Sequence, residues 1–260
     1  MWCCLVGSEM CIRDRGGRTY ALYNPARPDE LVGHAALSSA VDVNAAVRAA
    51  HAAYPAWSRT SYAERAAKLN EVADYLGAGQ DDVDQRARLF CREHGKPIKE
   101  THLEVSRLGD RFRTTAAYAD RLARDEIEHG PPFDTIITRQ PRGVATLIVP
   151  WNWPLSILGA KLPQALMAGN TVVVKPSELS VLAPSMTLQK IAEMFPPGVI
   201  NIVTGDANEI GDNLVGHPLV RFVNFTGSAR IGKHVMKVAA GQLTPVTLEL
   251  GGNDPASVCA

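Results

Sequence analysis

The 260-residue chain has no excess of charge of either sign: 27 Lys and Arg balance 27 Asp and Glu. That removes the electrostatic footprint of a nucleic-acid or anionic-membrane partner. No apolar run approaches the roughly 18 residues a membrane helix needs, so the sequence reads as that of a soluble protein. Cysteine is sparse and oddly placed. Of five, Cys3, Cys4 and Cys11 crowd the start, while Cys91 and Cys259 stand alone. This is not a disulfide framework, and a reducing, cytoplasmic setting is expected. There is no internal repeat and no low-complexity segment.

Residues 1–15 (MWCCLVGSEMCIRDR) lack the basic start and long apolar core of a signal peptide. They resemble translated adapter sequence and are set aside as a non-native leader. The alternative is a native redox tail. No metal role is assigned to the cysteine cluster.

From Thr19 to Leu37, short β-like pieces are punctuated by Asn24-Pro25 and Arg27-Pro28, which predicts a surface hairpin or meander. The period then changes. Val43, Val47, Ala50, Tyr54 and Trp57 share one face of an amphipathic helix. Ser61 and Glu64 form a capping-box pattern ahead of Leu69, Val72, Ala73 and Leu76, with Gly77 ending that helix. A third helix is expected from near Asp81 to just before Gly95 and Pro97, and EHGKP at 93–97 reads as its stop. A longer helical region over 100–124 shows mixed charge and no strong core face. Residues 131–142 (PPFDTIITRQPR) alternate Thr and Ile between prolines, suiting an exposed β-ribbon. After Gly143, strands at 144–149, 171–174, 199–203, 220–224 and 246–250 alternate with helices at 155–168, 184–195, 208–216 and 229–240. Apolar strands in repeated βα units predict an α/β fold with an open, mostly parallel sheet covered by helices on both faces. The 155–168 helix is apolar nearly all round and carries Pro163, so it is expected to be buried and kinked.

Four stretches fall at the carboxyl ends of these strands, the edge where open α/β sheets bind ligands. In PWNWP (150–154), Pro150 and Pro154 bracket Asn152 and pre-aim its amide, a suitable donor to a developing oxyanion. The plain alternative is a packed strand-to-helix corner. KPSE (175–178) sets Lys175 three residues before Glu178, an arrangement fit for ribose hydroxyls or for a surface ion pair. FTGSARIG (225–232) places glycines around a helix start capped by Ser228, where backbone amides attract an anion. LELGG (248–252) puts Glu249 before two glycines that allow close approach.

In this order and setting the motifs resemble the NAD(P)-dependent aldehyde dehydrogenase family, from about Tyr20 to the last residue. The resemblance implies a cofactor path over Ile148, Val149, Pro150, Trp151, Asn152, Lys175, Ser177, Glu178, Gly211, Phe225, Thr226, Gly227, Ser228, Ile231, Leu250 and Gly251. It implies that Asn152 holds the oxyanion and that Glu249 is the general base directing water at a thioester. The nucleophilic cysteine would be expected roughly thirty residues beyond Glu249 in a Gly-Gln-x-Cys pattern. Cys259 lies in an apolar segment without that motif and reads as a core thiol, as does Cys91. A carboxylate at Glu178 would repel a 2′-phosphate, favouring NAD, with NADP as the alternative.

The expected division is a leader over 1–15, the N-terminal part of a cofactor-binding domain over 16–124, an oligomerisation-arm ribbon over 125–142, a Rossmann-like domain over 143–253, and the start of a catalytic domain over 254–260. The implied partners are a small-molecule aldehyde and, at full length, further copies of the chain. The competing readings are a non-catalytic cofactor-binding or oligomerisation module, and a relative that forms an acyl-CoA or reduces an acyl phosphate. Asn152 and Glu249 fit hydrolytic release better than the latter. A classical Rossmann alcohol dehydrogenase is disfavoured because no GxGxxG follows the sheet's first strand.

Overall fold

The computed structural model describes residues 17–253 and 255–258. The leader and Cys259 lie outside the described residues. The chain opens with an antiparallel hairpin, β1 (Thr19–Asn24) and β2 (Arg27–Ala36), as its turn residues predict. It is not only a surface feature. Leu22 and Ala35 are buried with Val181 and Leu182, so the hairpin closes one end of the core.

Helix α1 (Ala40–Trp57) buries Val43, Val47, Ala50 and Trp57 on the expected face. In α2 (Tyr62–Gly77), Ser61 and Glu64 form the reciprocal capping box, and Leu69, Val72, Ala73 and Leu76 are buried. Helix α3 (Gln80–His94) stops at Gly95, whose left-handed backbone (φ 82°) terminates the helix without a Cβ clash.

The 100–124 region departs from expectation. It is three helices, α4 (Ile98–Ser106), α5 (Leu108–Ala116) and α6 (Ala119–Leu122), separated at Arg107 and at Ala117 and Tyr118. It also has a core face: Val105, Leu108, Phe112 and Ala116 are buried at helical spacing. The surrounding charges masked that stripe, most of them exposed beside it, while Glu104 is itself buried with the core face.

Strands β3 (Glu126–Glu128) and β4 (Thr135–Ile137) form the expected exposed antiparallel ribbon. The rest is a five-stranded parallel sheet of order β7-β6-β5-β8-β9, from β5 (Val144–Ile148), β6 (Thr171–Lys175), β7 (Ile200–Ile202), β8 (Val220–Gly227) and β9 (Val246–Leu250). Its helices are α7 (Pro154–Gly159), α8 (Leu162–Met167), α9 (Leu182–Ala192), α10 (Ala207–Val215) and α11 (Ala229–Ala240). The two-residue period of a strand divides its side chains between two faces. Ala145, Leu147, Val172, Val174, Ile200 and Ile202 join the core formed with α2 to α5 and α7 to α9. Val144, Val173, Val220 and Val223 face α1, α10 and α11.

The 155–168 stretch is buried as expected, but it is broken rather than kinked. Lys161 sits in a non-helical conformation between α7 and α8, and Pro163 occupies the first turn of α8, where its missing N–H costs nothing. Among the described residues no helix is long and apolar enough to cross a membrane.

Candidate active site

Strand order reverses at β5: the chain moves outward through β6 and β7 on one side, then returns to add β8 and β9 on the other. The carboxyl ends of β5 and β8 therefore diverge, leaving a crevice at the switch point. A cleft of about 830 Å³ opens there. Its walls are Pro150, Trp151 and Asn152 after β5, Ile157, Ala160 and Lys161 around the α7–α8 break, Asn224, Thr226, Gly227 and Ser228 from β8, and Thr247, Glu249, Leu250 and Gly251 from β9.

One of the sequence-predicted motifs sits further into its strand than expected: Phe225, Thr226 and Gly227 are the last residues of β8, not a loop after it. Glu249 and Leu250 end β9, within the strand expected over 246–250. Ser228 caps α11 by accepting from the Ile231 N–H at 3.3 Å, so α11 starts at the cleft rim. Gly227 has to be glycine for packing, since a Cβ there would lie 2.5 Å from the Phe225 ring. Thr226 lines the cleft, and its buried hydroxyl oxygen has no hydrogen-bond partner among the described residues. The Gly251 N–H donates to the Gly227 carbonyl at 3.3 Å, tying the two strand ends together.

The remaining predicted positions divide. Ile148 and Phe225 pack into the core under α10 and α11, Val149 packs into the opposite core, and Ile231 is half-buried against α11's own core face. Lys175 is 3% exposed at the end of β6, and its Nζ donates to Glu178 Oε2 at 3.2 Å and to the Pro176 carbonyl at 3.3 Å. The ends of β5 and β6 stay paired here, since the Val149 N–H donates to the Lys175 carbonyl at 3.2 Å. Glu178 also borders a second hollow of about 520 Å³, beside Tyr20 and Glu93. Ser177 accepts from the Leu179 N–H within the same turn. Gly211 lies on α10 with open space about it and lines neither hollow.

Sequence reasoning missed Lys161 and Asn224. Lys161 is 5% exposed, and its ammonium donates to Asn224 Oδ1. Burial pushes it down from 10.5 to about 8, against the opposing pull of the Glu249 carboxylate. The available signal was its being the sole charge in the apolar 155–168 run. Glu249 itself is exposed on the edge strand. Cys91 is half-buried on α3, and its thiol donates to the Lys96 carbonyl at 3.0 Å. No cluster of His, Cys, Asp and Glu suited to a metal occurs among the described residues.

The aldehyde dehydrogenase family profile matches residues 12–260, so Ile12 to Arg15 of the presumed leader fall inside the match. Glutarate-semialdehyde dehydrogenase of Pseudomonas aeruginosa is 37% identical over 92% of this chain and 49% of its own length. Succinate-semialdehyde dehydrogenase [NADP(+)] of Escherichia coli is also 37% identical, over 92% and 49% respectively. Among solved structures, a betaine aldehyde dehydrogenase variant from Staphylococcus aureus in complex with NAD+ superimposes with a TM-score of 0.86 at 32% identity, over 92% of this chain and 48% of that one. The chain thus spans about half the length of the relatives it matches. With its switch-point cleft and this extent of likeness, the chain belongs to the aldehyde dehydrogenase family.

Proposed function

We propose that this chain supplies the cofactor-binding half and two of the reacting-site groups of an enzyme that oxidises an aldehyde to a carboxylic acid with NAD, releasing the acid by hydrolysis. One observation carries the reading: Asn152 from the β5–α7 turn and Glu249 from β9 line the same cleft as the capped start of α11. The residues fit a dinucleotide. A helix start with its Ser228 cap suits a pyrophosphate, the Thr226 hydroxyl lacks a partner, and the paired Lys175 and Glu178 suit a ribose. NAD supplies the hydride acceptor.

The chain's own groups do the rest. The Asn152 amide donates to the carbonyl oxygen as negative charge develops there. A cysteine thiolate from beyond residue 260 is the proposed nucleophile, forming a thiohemiacetal and then a thioester. Glu249 takes a proton from the water that cleaves the thioester, and its exposure to the cleft gives that water access. NAD is preferred over NADP because Glu178 would repel a 2′-phosphate.

The β3–β4 ribbon, which exposes Ile127, Ile136 and Ile137, is assigned as an arm joining copies of the protein. The free Cys91 thiol fits a cytoplasmic setting.

Calorimetric titration of the 260-residue chain with NAD+ and NADP+ is the direct test. Saturable NAD+ binding that is weakened in Gly227→Ala supports the reading. A folded chain that binds neither nucleotide at millimolar concentration sinks it.

A further inference from the structure

EHGKP reads from sequence as a helix stop, yet its side chains grip the turn that carries Asn152. We propose that His94, Lys96 and Glu104 are positioning residues for Asn152, fixing the turn at 151–156 so that the amide keeps a single aim into the cleft. The inference rests on the reading of Asn152 as donor to the carbonyl oxygen.

Each residue flanking Asn152 is held from the 94–104 segment. His94 Nε2 donates to the Trp151 carbonyl at 2.9 Å, and its ring lies against the Trp151 ring at 5.6 Å between centroids. Because a carbonyl only accepts, the proton must be on Nε2. Burial and the Lys96 charge hold His94 below its ordinary pKa, which keeps the other nitrogen bare. On the far side of Asn152, the Lys96 ammonium sits 3.5 Å from the centroid of the Trp153 ring, a cation–π contact.

The same ammonium donates to Glu104 Oε2 at 2.9 Å, and both side chains of that pair are nearly inaccessible. Glu104 Oε1 accepts from the Leu155 and Ser156 N–H groups, each at 2.9 Å. Helix α7 has no side-chain cap of its own at Trp153, so Glu104 is its cap, supplied from another helix. A buried ion pair adds little net stability over apolar packing, because desolvation offsets the attraction. What it does add is geometry: three directed contacts that leave one arrangement of the turn.

The test follows the Asn152 side-chain amide by NMR in the 260-residue chain, assigned by its disappearance in Asn152→Ala. The expected wild-type signal is one sharp pair. It should broaden or split in Lys96→Met and in Glu104→Gln, and return to one pair in Lys96→Arg. Should Lys96→Met fail to fold, Glu104→Gln keeps an acceptor oxygen for Leu155 and Ser156 and carries the test. In the enzyme completed by its nucleophile, Lys96→Met should lower kcat about tenfold, since a small misplacement of a reacting group costs rate, with the KM for NAD unchanged and no further loss when combined with Asn152→Ala. An unaltered Asn152 pair in Lys96→Met, or losses that multiply in the double variant, would overturn the proposal. If Asn152→Ala alone left kcat intact, the donor reading would fall, while the NMR result would still decide whether the three residues fix the turn.

Discussion

Glu93 lies at the end of α3 with 3% of its surface exposed, and its carboxylate reaches the start of α9. Oε2 accepts from the Val181 and Leu182 N–H groups at 3.0 and 2.7 Å, and Oε1 from Ala183 at 2.8 Å. Two effects oppose each other. Burial disfavours the charged form, three N–H donors favour it, and burial wins, pushing the group up from 4.5 to about 7.

A carboxyl raised on folding binds its proton more tightly in the folded state. Its contribution to stability is therefore fully present below 4.5 and is lost as the pH rises through 7. Between pH 5 and pH 8 the loss comes to about 2.5 kcal/mol. Glu93→Gln cannot ionise and resembles the protonated acid, with one acceptor and one donor end. Other titrating groups cancel when the two proteins are compared at each pH.

Urea unfolding of both proteins at pH 5, 6, 7 and 8 reads the effect directly. Glu93→Gln should cost stability at pH 5, where an amide NH2 faces an N–H, and should lose most or all of that deficit by pH 8. A deficit that stays constant or grows with pH would show that the start of α9 holds the carboxylate as a stable anion, and the burial argument would be wrong.

Three further outcomes are expected. Lys161, lowered to about 8, carries the opposite sign: the folded state sheds its proton first, so stability rises between about pH 8 and 10.5. The rise is at most about 3 kcal/mol, less what solvent in the cleft screens. Urea titrations of Lys161→Met should lack it, and an equal rise in the variant would clear Lys161 of responsibility. Ser61→Ala removes the α2 capping box and should cost about 1 kcal/mol, seen as a lower thermal midpoint with unchanged NAD affinity. Phe112→Ala empties a fully buried site on α5 and should cost about 3–5 kcal/mol by chemical denaturation; a cost below 1 kcal/mol would show that α5 is peripheral.

What could be read from the chain was what local pattern encodes. Ser61 and Glu64 announce α2, Gly95 ends α3, and the near-continuous apolar runs at 144–149 and 171–174 fix a sheet buried on both faces. Asn152, Gly227 and Glu249 converge on one cleft because each lies at or just beyond the carboxyl end of a strand, and parallel strands bring those ends to one edge. Burial of charge was not readable. Glu93 and Glu104 look like solvated residues in any local window, and their partners at 181–183 and 155–156 lie far along the chain; Lys161 stands out only as the sole charge of an apolar run, and its partner Asn224 is equally remote. The breaks at Arg107 and Lys161 escaped for a related reason. Neither has a glycine or a proline at the break itself, and tertiary packing, not propensity, sets them.

The strand order has a kinetic consequence. β5, β6 and β7 pair with their sequence neighbours across single crossovers, but β5 meets β8 only by closing the loop that contains all of β6, α9, β7 and α10. Bringing Val144 beside Val220 is the most entropically demanding step in building the sheet, and rates fall as such distant pairings come to dominate. The crevice lies between β5 and β8, so it should be the last part of the sheet to form. A chain that has built only β5, β6 and β7 would hold much of its core and still present no cleft.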